Sequence, residues 1–299
     1  MRGRPGPLRL RHKVGECIAR HGLWQAGDRV AVAVSGGRDS VALLDLLCET
    51  QNWHGGRLGL VTVNHGTRPA ASQDADFVEA LAEARGLHCQ RVDVELGPNA
   101  SEAECRAARM AAFKALDTDR IALGHHQQDQ AETHWMRVLQ GSGRRGMGAM
   151  AWRRGRLVRP LLHVTSAEVQ AWVDARGLAF REDPTNRSPR FLRNRIRSEL
   201  MPVLEQLRPG ATSAAAAAAA WLREEDAWLD EQVPPQITSR WVAEAPTALI
   251  GRWLHRWGLA CTPQQATAIR QWAQSGTDVP FVWGANRLHT LDDGTVVSR

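Results

Sequence analysis

The chain has 299 residues, enough to bury a sizeable core in one large and one small domain. It carries 38 Lys and Arg against 32 Asp and Glu, and a modestly basic protein of this kind suits a polyanionic partner. No run of about 18 apolar residues occurs, and no apolar signal-peptide core follows the basic N-terminus. We therefore expect a cytoplasmic protein without a membrane partner.

Five cysteines are scattered along the chain without a C-x-x-C pair. This spacing argues against a zinc site, an iron–sulfur cluster or a disulfide framework, and it is typical of reduced thiols. Tyrosine is absent whereas tryptophan occurs 12 times, so we expect tryptophan to supply the aromatic packing that tyrosine otherwise shares.

An apolar, β-branched run over residues 30–34 ends in a turn, and an apolar helical pattern starts directly after it. The turn consists of six small or polar residues: Ser35, Gly36, Gly37, Arg38, Asp39 and Ser40. The pattern predicts a strand, a turn and a helix over 39–50, where backbone N–H groups and the helix dipole converge on an anion. The glycines leave room for a phosphate, the serines add donors, and Asp39 places a carboxylate where Mg²⁺ could bridge to phosphate.

A glycine turn can also simply join a strand to a helix, and a Gly-Gly pair alone favours that interpretation. The six consecutive residues, however, resemble the S-G-G-x-D-S pyrophosphate loop of the N-type ATP pyrophosphatase superfamily. Members of that superfamily cleave ATP between the α- and β-phosphates and adenylate a substrate. The resemblance implies that residues 35–40 bind ATP and that Asp39 holds part of the coordination of Mg²⁺.

Further strands are predicted over 58–63, 88–94 and 120–123, with helices over 72–85, 102–116 and 129–139. Strands that alternate with helices at this spacing indicate parallel βαβ units, and hence an α/β fold with a doubly wound, mainly parallel sheet. Ligands bind such sheets at the carboxyl ends of the strands. We therefore expect the functional residues directly after each strand.

Polar residues follow two of these strands. They are Asn64, His65, Gly66, Thr67 and Arg68 after the second strand, and Gly124, His125, His126, Gln127, Gln128, Asp129 and Glu132 after the fourth. Asp129 and Glu132 are three residues apart at a helix start, so their carboxylates share one face. Acids at that position also cap helices, and a lone histidine is usually only hydrogen-bonded. Because two histidines and two acids cluster at the predicted crevice, we favour a functional role.

Arginines are concentrated in three further segments. They are Arg106 and Arg109 in the helix over 102–116, Arg144 and Arg145 in the glycine-rich segment 141–150, and Arg190, Arg193, Arg195 and Arg197 near an asparagine-containing loop. Arginine offers planar donors suited to phosphate. For Arg106 a salt bridge with Glu102 on a solvated helix face is an equal alternative, and segment 141–150 is either a lid, a nucleic-acid contact or an ordinary loop.

The C-terminal part begins at a break near Pro209 and Gly210. After a helix over 166–176, an alanine-rich stretch predicts a connecting helix, because alanine is the best helix former. Helices over 247–257 and 263–272 and a terminal hairpin near Leu291–Gly294 indicate a small α+β piece. The predicted domains are therefore 1–208, a connecting helix over 209–232, and 233–299.

In their order along the chain, six motifs resemble those of the tRNA(Ile)-lysidine synthetase family. They are S-G-G-x-D-S; H-G-x-R at His65, Gly66 and Arg68; E-x-x-x-R-x-x-R at Glu102, Arg106 and Arg109; G-H-H-x-x-D-Q-A-E-T with a following G-S-G; R-P-L-L; and E-D-x-(S/T)-N with F-x-R-N-x-I-R. The resemblance covers nearly the whole chain. The chain departs from the family pattern at Gln128, where aspartate is common, and at Met110, where tyrosine is common.

The resemblance implies an enzyme with ATP and Mg²⁺ as cofactors. Its partners are an isoleucine tRNA with a CAU anticodon and free L-lysine, which is ligated to C2 of the wobble cytidine through an adenylated intermediate to give lysidine. The resemblance also implies catalytic roles for Asp129 and Glu132 on lysine, for Arg109 on the α-phosphate, and for His125. It further implies that the short C-terminal domain contacts tRNA.

Two alternatives stay open at this point. A thiolating relative would use the same adenylation with sulfur in place of lysine, although such enzymes generally need a cysteine pair or cluster beside the site. A non-catalytic tRNA-binding relative would have a site that decayed at Gln128. A homodimer is also left open.

Overall fold

The structure, a computed structural model, describes residues 7–67, 71–98, 100–182, 191–277, 279–283, 285–291 and 293–298. It divides into two compact units, Met1–Leu222 and Arg223–Arg299. The division falls inside one long helix, α11 (Ala211–Glu231). The domain boundaries at residues 208/209 and 232/233 stay a prediction.

The first unit alternates strands and helices along most of its length. Its elements are α1 (Pro7–Arg20), β1 (Arg29–Ala33), α2 (Arg38–Glu49), α3 (Gln51–His54), β2 (Arg57–Asn64), α4 (Ala71–Glu83), β3 (Cys89–Asp93), α5 (Glu102–Ala115), β4 (Arg120–Ala122), α6 (Gln127–Leu139), α7 (Arg144–Met147), β5 (Arg153–Arg154), β6 (Leu157–Val158), α8 (Ser166–Arg176), α9 (Leu192–Arg195), a π-helical segment (Ile196–Leu200), α10 (Met201–Leu207) and the start of α11. Within this part of the chain, the sequence pattern missed α1, α3, α7, the short β5–β6 hairpin and the helical run over 192–207, where only a loop rich in arginine was predicted.

The sheet of the first unit has six strands in the order β3-β2-β1-β4-β6-β5. All neighbouring pairs are parallel except β5 with β6. The chain runs outward from β1 to β3 and then returns to place β4 on the other side of β1, so the topological switch point lies between β1 and β4. A crevice is expected at their carboxyl ends.

Strand β1 shows how helices cover both faces of this sheet. Val30 and Val32 pack into a core with α1, α2, α4 and α8, whereas Ala31 and Ala33 pack on the opposite face near Phe113 of α5. Because successive strand residues face opposite sides, a strand that is apolar at every position needs a layer on each face. Helix α2 is buried at every residue from Ser40 to Leu47, so it is held firmly behind the turn that precedes it. The α/β, doubly wound fold class is confirmed.

The second unit is a small α+β structure with its own core. Its elements after α11 are α12 (Ser239–Glu244), α13 (Thr247–Arg256), α14 (Pro263–Ser275), β7 (Phe281–Trp283), β8 (Asn286–Thr290) and β9 (Val296–Ser298). Strands β7, β8 and β9 form an antiparallel sheet, and β8 and β9 make the predicted terminal hairpin. Buried Ile250, Trp253, Ile269 and Leu288 form the centre of this core. Within the described residues, we find no helix with the length and apolarity to cross a membrane.

Candidate active site

The turn between β1 and α2 is held in shape by its own side chains. Gly36 has a φ of +82°, in the left-handed region that only glycine adopts readily. Ser40 donates through its Oγ to the Gly37 carbonyl at 2.7 Å, and the Ser35 amide donates to Ser40 Oγ at 3.2 Å. The amide of Arg181 donates to the Gly36 carbonyl at 2.9 Å. The turn is therefore a pre-organised element at the switch point.

Arg38 connects this turn to a neighbouring helix. Its guanidinium donates to Gln170 Oε1 at 2.9 Å and to Ser166 Oγ at 3.1 Å, both on α8, and to Asp39 Oδ1 at 2.9 Å. These contacts give Arg38 a structural task in this state. A phosphate contact by Arg38 stays a prediction.

Gly124 allows the end of β4 to approach the start of α2. A Cβ at this position would lie 3.0 Å from the carbonyl oxygen of Asp39 and 3.1 Å from the amide nitrogen of Ser40, so a side chain has no room there. This close approach places His126 Nε2 3.4 Å from Asp39 Oδ2. The glycine of the G-H-H motif thus has a steric role, because it lets the end of β4 pack against the start of α2.

The pair of Asp39 and His126 is buried on the histidine side, where the side chain is only 4% exposed. Nδ1 of His126 accepts from the Gln128 amide at 3.2 Å, so the neutral ring carries its proton on Nε2, toward Asp39. Burial lowers the pKa of His126, but the contact with Asp39 and the charge of Asp129 outweigh it, and the net pKa is raised. Burial likewise raises the pKa of Asp39, yet His126 and Arg38 outweigh it and lower the net pKa. Asp39 is therefore an ionised carboxylate at neutral pH.

Two buried acids and two arginines form a second cluster at the start of α6. Arg193 donates to Asp129 Oδ1 at 2.5 Å and to Glu132 Oε2 at 3.0 Å. Arg197 donates to both oxygens of Glu132, at 2.6 Å and 2.9 Å. Asp129 is 8% exposed and Glu132 is 0% exposed. We call Asp129, Glu132, Arg193 and Arg197 the acid–arginine cluster; its four formal charges balance.

Asp129 is an ionised member of the acid–arginine cluster, and the cluster interacts electrostatically with the turn at residues 35–40. Burial raises the pKa of Asp129, but the charges of His126 and Arg193 outweigh it and lower the net pKa. The hydrogen bond with Glu132 and the negative charge of Asp39 both raise the pKa of Arg197. The acid–arginine cluster therefore interacts electrostatically with the carboxylate of Asp39 in the turn. The sequence predicted that the two acids share a face but missed their partners. The spacing of Arg193 and Arg197, four residues apart on one helical face, was the available signal.

His125 directly precedes His126, the residue that caps α6. Its Nδ1 is buried and has no hydrogen-bond partner among the described residues, and the same holds for Nδ1 of His65 at the end of β2. Burial lowers the pKa of His125 to about 4, and the positive charges of Arg159, Arg193 and Arg109 add to that effect. Burial and the charge of Arg109 also lower the pKa of His65. The side chains predicted after β2, after β4 and on α5 thus influence one another electrostatically.

Replacing His125 by Asn is expected to flatten the pH dependence of stability. Because the pKa of His125 is lowered to about 4 from 6.5, the unfolded chain binds the proton more readily, and wild-type stability falls as pH drops below 6.5. Between pH 7 and pH 5 the wild type should lose about 1–2 kcal/mol more than His125→Asn. Urea unfolding at both pH values measures this, and equal losses would contradict a neutral His125 in the folded protein.

Other predicted site residues lie outside this centre or outside the described residues. Arg106 and Arg109 are both exposed on α5, and Arg109 lowers the pKa values of His65 and His125. Segment 141–150 is tied to α6, where His134 Nδ1 lies 2.7 Å from the Met147 carbonyl and the side chain of Gln130 makes two hydrogen bonds with the backbone of Met150. Those that fall outside the described residues are Arg68, Arg190 and residues 183–186, which form the D-x-(S/T)-N part of the sixth motif.

Comparison with known proteins shows which family the sequence of this chain matches. A family model described as a PP-loop domain matches residues 9–204. The tRNA(Ile)-lysidine synthase of Thermobifida fusca is 38% identical over 91% of this chain and 92% of that protein. The enzyme of the same name from Geobacter sulfurreducens is 44% identical over 74% of this chain and 50% of that protein.

A solved structure with lower sequence identity has a similar fold. The U34-tRNA thiolase NcsA from Methanococcus maripaludis, with its [4Fe–4S] cluster, matches at a TM-score of 0.59 and 20% identity, over 72% of this chain and 77% of that one. The chain spans about half the length of several of the curated relatives it matches, among them that of Solibacter usitatus at 48%. With its PP-loop domain and a relative that aligns along almost its whole length, the chain belongs to the tRNA(Ile)-lysidine synthase family.

Proposed function

We propose that this protein uses ATP to join free lysine to C2 of the wobble cytidine of an isoleucine tRNA with a CAU anticodon, giving lysidine. One observation carries the proposal: Gly124 packs the start of α6, with its acids, against the S-G-G-x-D-S turn at the switch point of the sheet. A nucleotide phosphate and a cationic substrate would thus meet in one crevice. Membership of the tRNA(Ile)-lysidine synthase family supports this proposal.

The turn from Ser35 to Ser40 would bind the phosphates of ATP. Gly36 and Gly37 leave the backbone open to a phosphate, and the dipole of α2 favours negative charge at its start. Asp39 fits Mg²⁺, because it is a hard oxygen donor that stays ionised beside this turn. Mg²⁺ held there would neutralise phosphate charge, and it would add to the attraction that the backbone provides.

The proposed reaction has two steps. The C2 carbonyl oxygen of the cytidine attacks the α-phosphate and pyrophosphate leaves; then the ε-amine of lysine attacks C2, and the C2–O bond breaks to release AMP. Arg109 would stabilise negative charge on the α-phosphate, as its effect on the pKa values of His65 and His125 supports. His125, whose pKa is lowered to about 4, would line the site with a polar but uncharged side chain at neutral pH.

Asp129 and Glu132 would bind the lysine ammonium and take up its proton. In the present structure both acids already accept hydrogen bonds from arginines, so an entering ammonium shares or replaces those contacts. While Arg193 is paired with Asp129, the low pKa of Asp129 makes it a poor base. Weakening of that contact raises its basicity, so binding of lysine and activation of its amine would be linked.

The cysteines favour lysine over sulfur as the second substrate. Iron–sulfur clusters are held by several cysteine thiolates close together. Here four of the five cysteines lie in α1, α2, β3 and α5, and Cys261 lies in the second unit. Burial raises the pKa of Cys17 to about 12 and that of Cys48 to about 11, which keeps these two thiols protonated and unreactive.

Pyrophosphate release tests whether the site is catalytic. With ATP, Mg²⁺ and the isoleucine tRNA, we expect pyrophosphate to appear before lysine is added, and AMP to be released only after lysine is added. A protein that binds the tRNA without releasing pyrophosphate would be the non-catalytic relative. Release of AMP that requires a sulfur donor instead of lysine would indicate thiolation.

The second unit is proposed to contact the tRNA outside the crevice. The site residues described above all lie before residue 200, whereas the Thermobifida fusca relative aligns over 91% of this chain. This function would place the protein in the cytoplasm, where tRNA and ATP are available.

Deletion of residues 233–299 is expected to preserve ATP binding and to weaken tRNA binding at least about tenfold. The reason is that a duplex stem of the tRNA needs a longer contact surface than the active-site crevice provides. The binding that persists should fall steeply with salt, because arginine–phosphate contacts would dominate it. Filter binding across a salt series measures both effects, and circular dichroism checks the fold. Unchanged tRNA affinity in the truncated protein would reduce the second unit to a structural cap.

A further inference from the structure

Gln128 is a neutral polar side chain at the start of α6 that contacts Glu132. Its Nε2 donates to Glu132 Oε1 at 3.2 Å, and the same oxygen accepts from Arg197 Nε at 2.6 Å. The side chain is partly buried. Gln128 therefore touches the acid–arginine cluster without adding charge to it.

The charge count of the acid–arginine cluster depends on this neutrality. Asp129 and Glu132 supply two negative charges, and Arg193 and Arg197 supply two positive charges. A carboxylate at position 128 would place a third negative charge within hydrogen-bonding distance of Glu132. In a partly buried site such a charge is unfavourable unless a further cation is bound.

We propose that Gln128 is a specificity-determining residue that sets the affinity of the site for the lysine ammonium. Because the carboxamide leaves the cluster charge-balanced without substrate, an entering ammonium meets no unpaired carboxylate and competes with two guanidiniums. This inference rests on the proposed function, since it takes free lysine as the cation. It goes further in assigning to residue 128 the strength of lysine binding.

A charge series at position 128 tests the inference in the full-length protein. Gln128→Glu keeps the shape and adds a negative charge, so the KM for lysine should fall about tenfold, equal to about 1.4 kcal/mol. Gln128→Lys tethers an ammonium beside Glu132, so the KM for lysine should rise about tenfold or more. The KM for ATP should change less than about twofold in both.

Gln128→Asn is the neutral member of the series, because its side chain is uncharged but too short to keep the contact with Glu132. We expect its KM for lysine to lie between those of the two charged variants, whereas a merely structural role would change the KM for lysine in the same direction in all three variants. A KM for lysine that is lowest for Gln128→Glu, intermediate for the wild type and highest for Gln128→Lys supports the inference. If Gln128→Glu fails to fold without substrate, the Lys and Asn variants still decide the order.

Two results would overturn the inference. One is a KM for lysine that does not follow the charge at position 128, and the other is a Gln128→Glu variant whose Mg²⁺ requirement changes while its KM for lysine does not. Wild-type protein that incorporates no lysine would instead contradict the proposed function. The two failures are thus distinguished by the wild-type reaction.

Discussion

Asp129→Asn should lower lysine-dependent product formation by roughly two orders of magnitude, the scale of losing an acid–base group. The substitution keeps the shape of the side chain but removes the charge that Arg193 contacts at 2.5 Å and that would bind the lysine ammonium. Formation of the adenylated intermediate should fall much less, because the phosphates are assigned to the turn at residues 35–40. Pyrophosphate release and lysine transfer, measured separately, report the two steps.

Stability has to be separated from catalysis in this variant. Breaking a buried ion pair costs about 3 kcal/mol, so the assay is run well below the measured unfolding temperature. Glu199→Gln is the matched control: it removes the pair between Glu199 and Arg195, which is more than half exposed on both sides, near the same arginines. This control should retain full activity. Equal loss of both steps in Asp129→Asn would move Asp129 from the lysine site to the ATP site.

Gly36→Val is expected to abolish ATP binding. At a φ of +82° a β-branched residue is strained, and the turn must change shape to relieve it. A Cβ at Gly36 would lie at ordinary contact distance, 3.5 Å from Phe77 and 3.6 Å from the side chain of Arg181, so the strain of the backbone carries the expected effect. Isothermal titration with ATP and Mg²⁺ measures the loss.

Gly177→Val serves as the control for backbone strain. Gly177 ends α8 with a φ of +58°, and no atom lies within 4 Å of the position its Cβ would take. It therefore carries a similar strain at the far end of a helix whose start contacts Arg38. We expect Gly177→Val to be destabilised but to bind ATP normally. ATP binding at wild-type affinity by Gly36→Val would remove the turn from the ATP site.

Local sequence patterns predicted those parts of the site that are formed by residues close together in the sequence. The apolar run before Ser35 and the glycines after it predicted the turn, and the spacing of Asp129 and Glu132 predicted a shared helix face. Helix α6 nevertheless begins two residues earlier than predicted, at Gln127, because the ring of His126 caps it by accepting the amide of Gln128. A histidine cap has no signal in the residue types that usually precede helices.

Contacts over long sequence separations could not be predicted in the same way. The pairing of Asp129 with Arg193 joins residues 64 positions apart, and that of Glu132 with Arg197 joins residues 65 positions apart. Composition showed that arginines were available but not which acids they would contact. The charge balance of the acid–arginine cluster, and with it the task of Gln128, follows only from the folded structure.

Analysis of the wobble nucleoside after reaction tests the central claim most directly. The full-length protein is incubated with ATP, Mg²⁺, isotopically labelled lysine and either an isoleucine tRNA or a methionine tRNA with the same CAU anticodon, and the tRNA is then digested to nucleosides. We predict that mass spectrometry finds the label on the wobble cytidine of the isoleucine tRNA, with one AMP released per lysine, and none on the methionine tRNA. An unlabelled wobble cytidine in the isoleucine tRNA, after a reaction in which the protein hydrolysed ATP or bound the tRNA, would contradict the assignment of this site to lysidine synthesis.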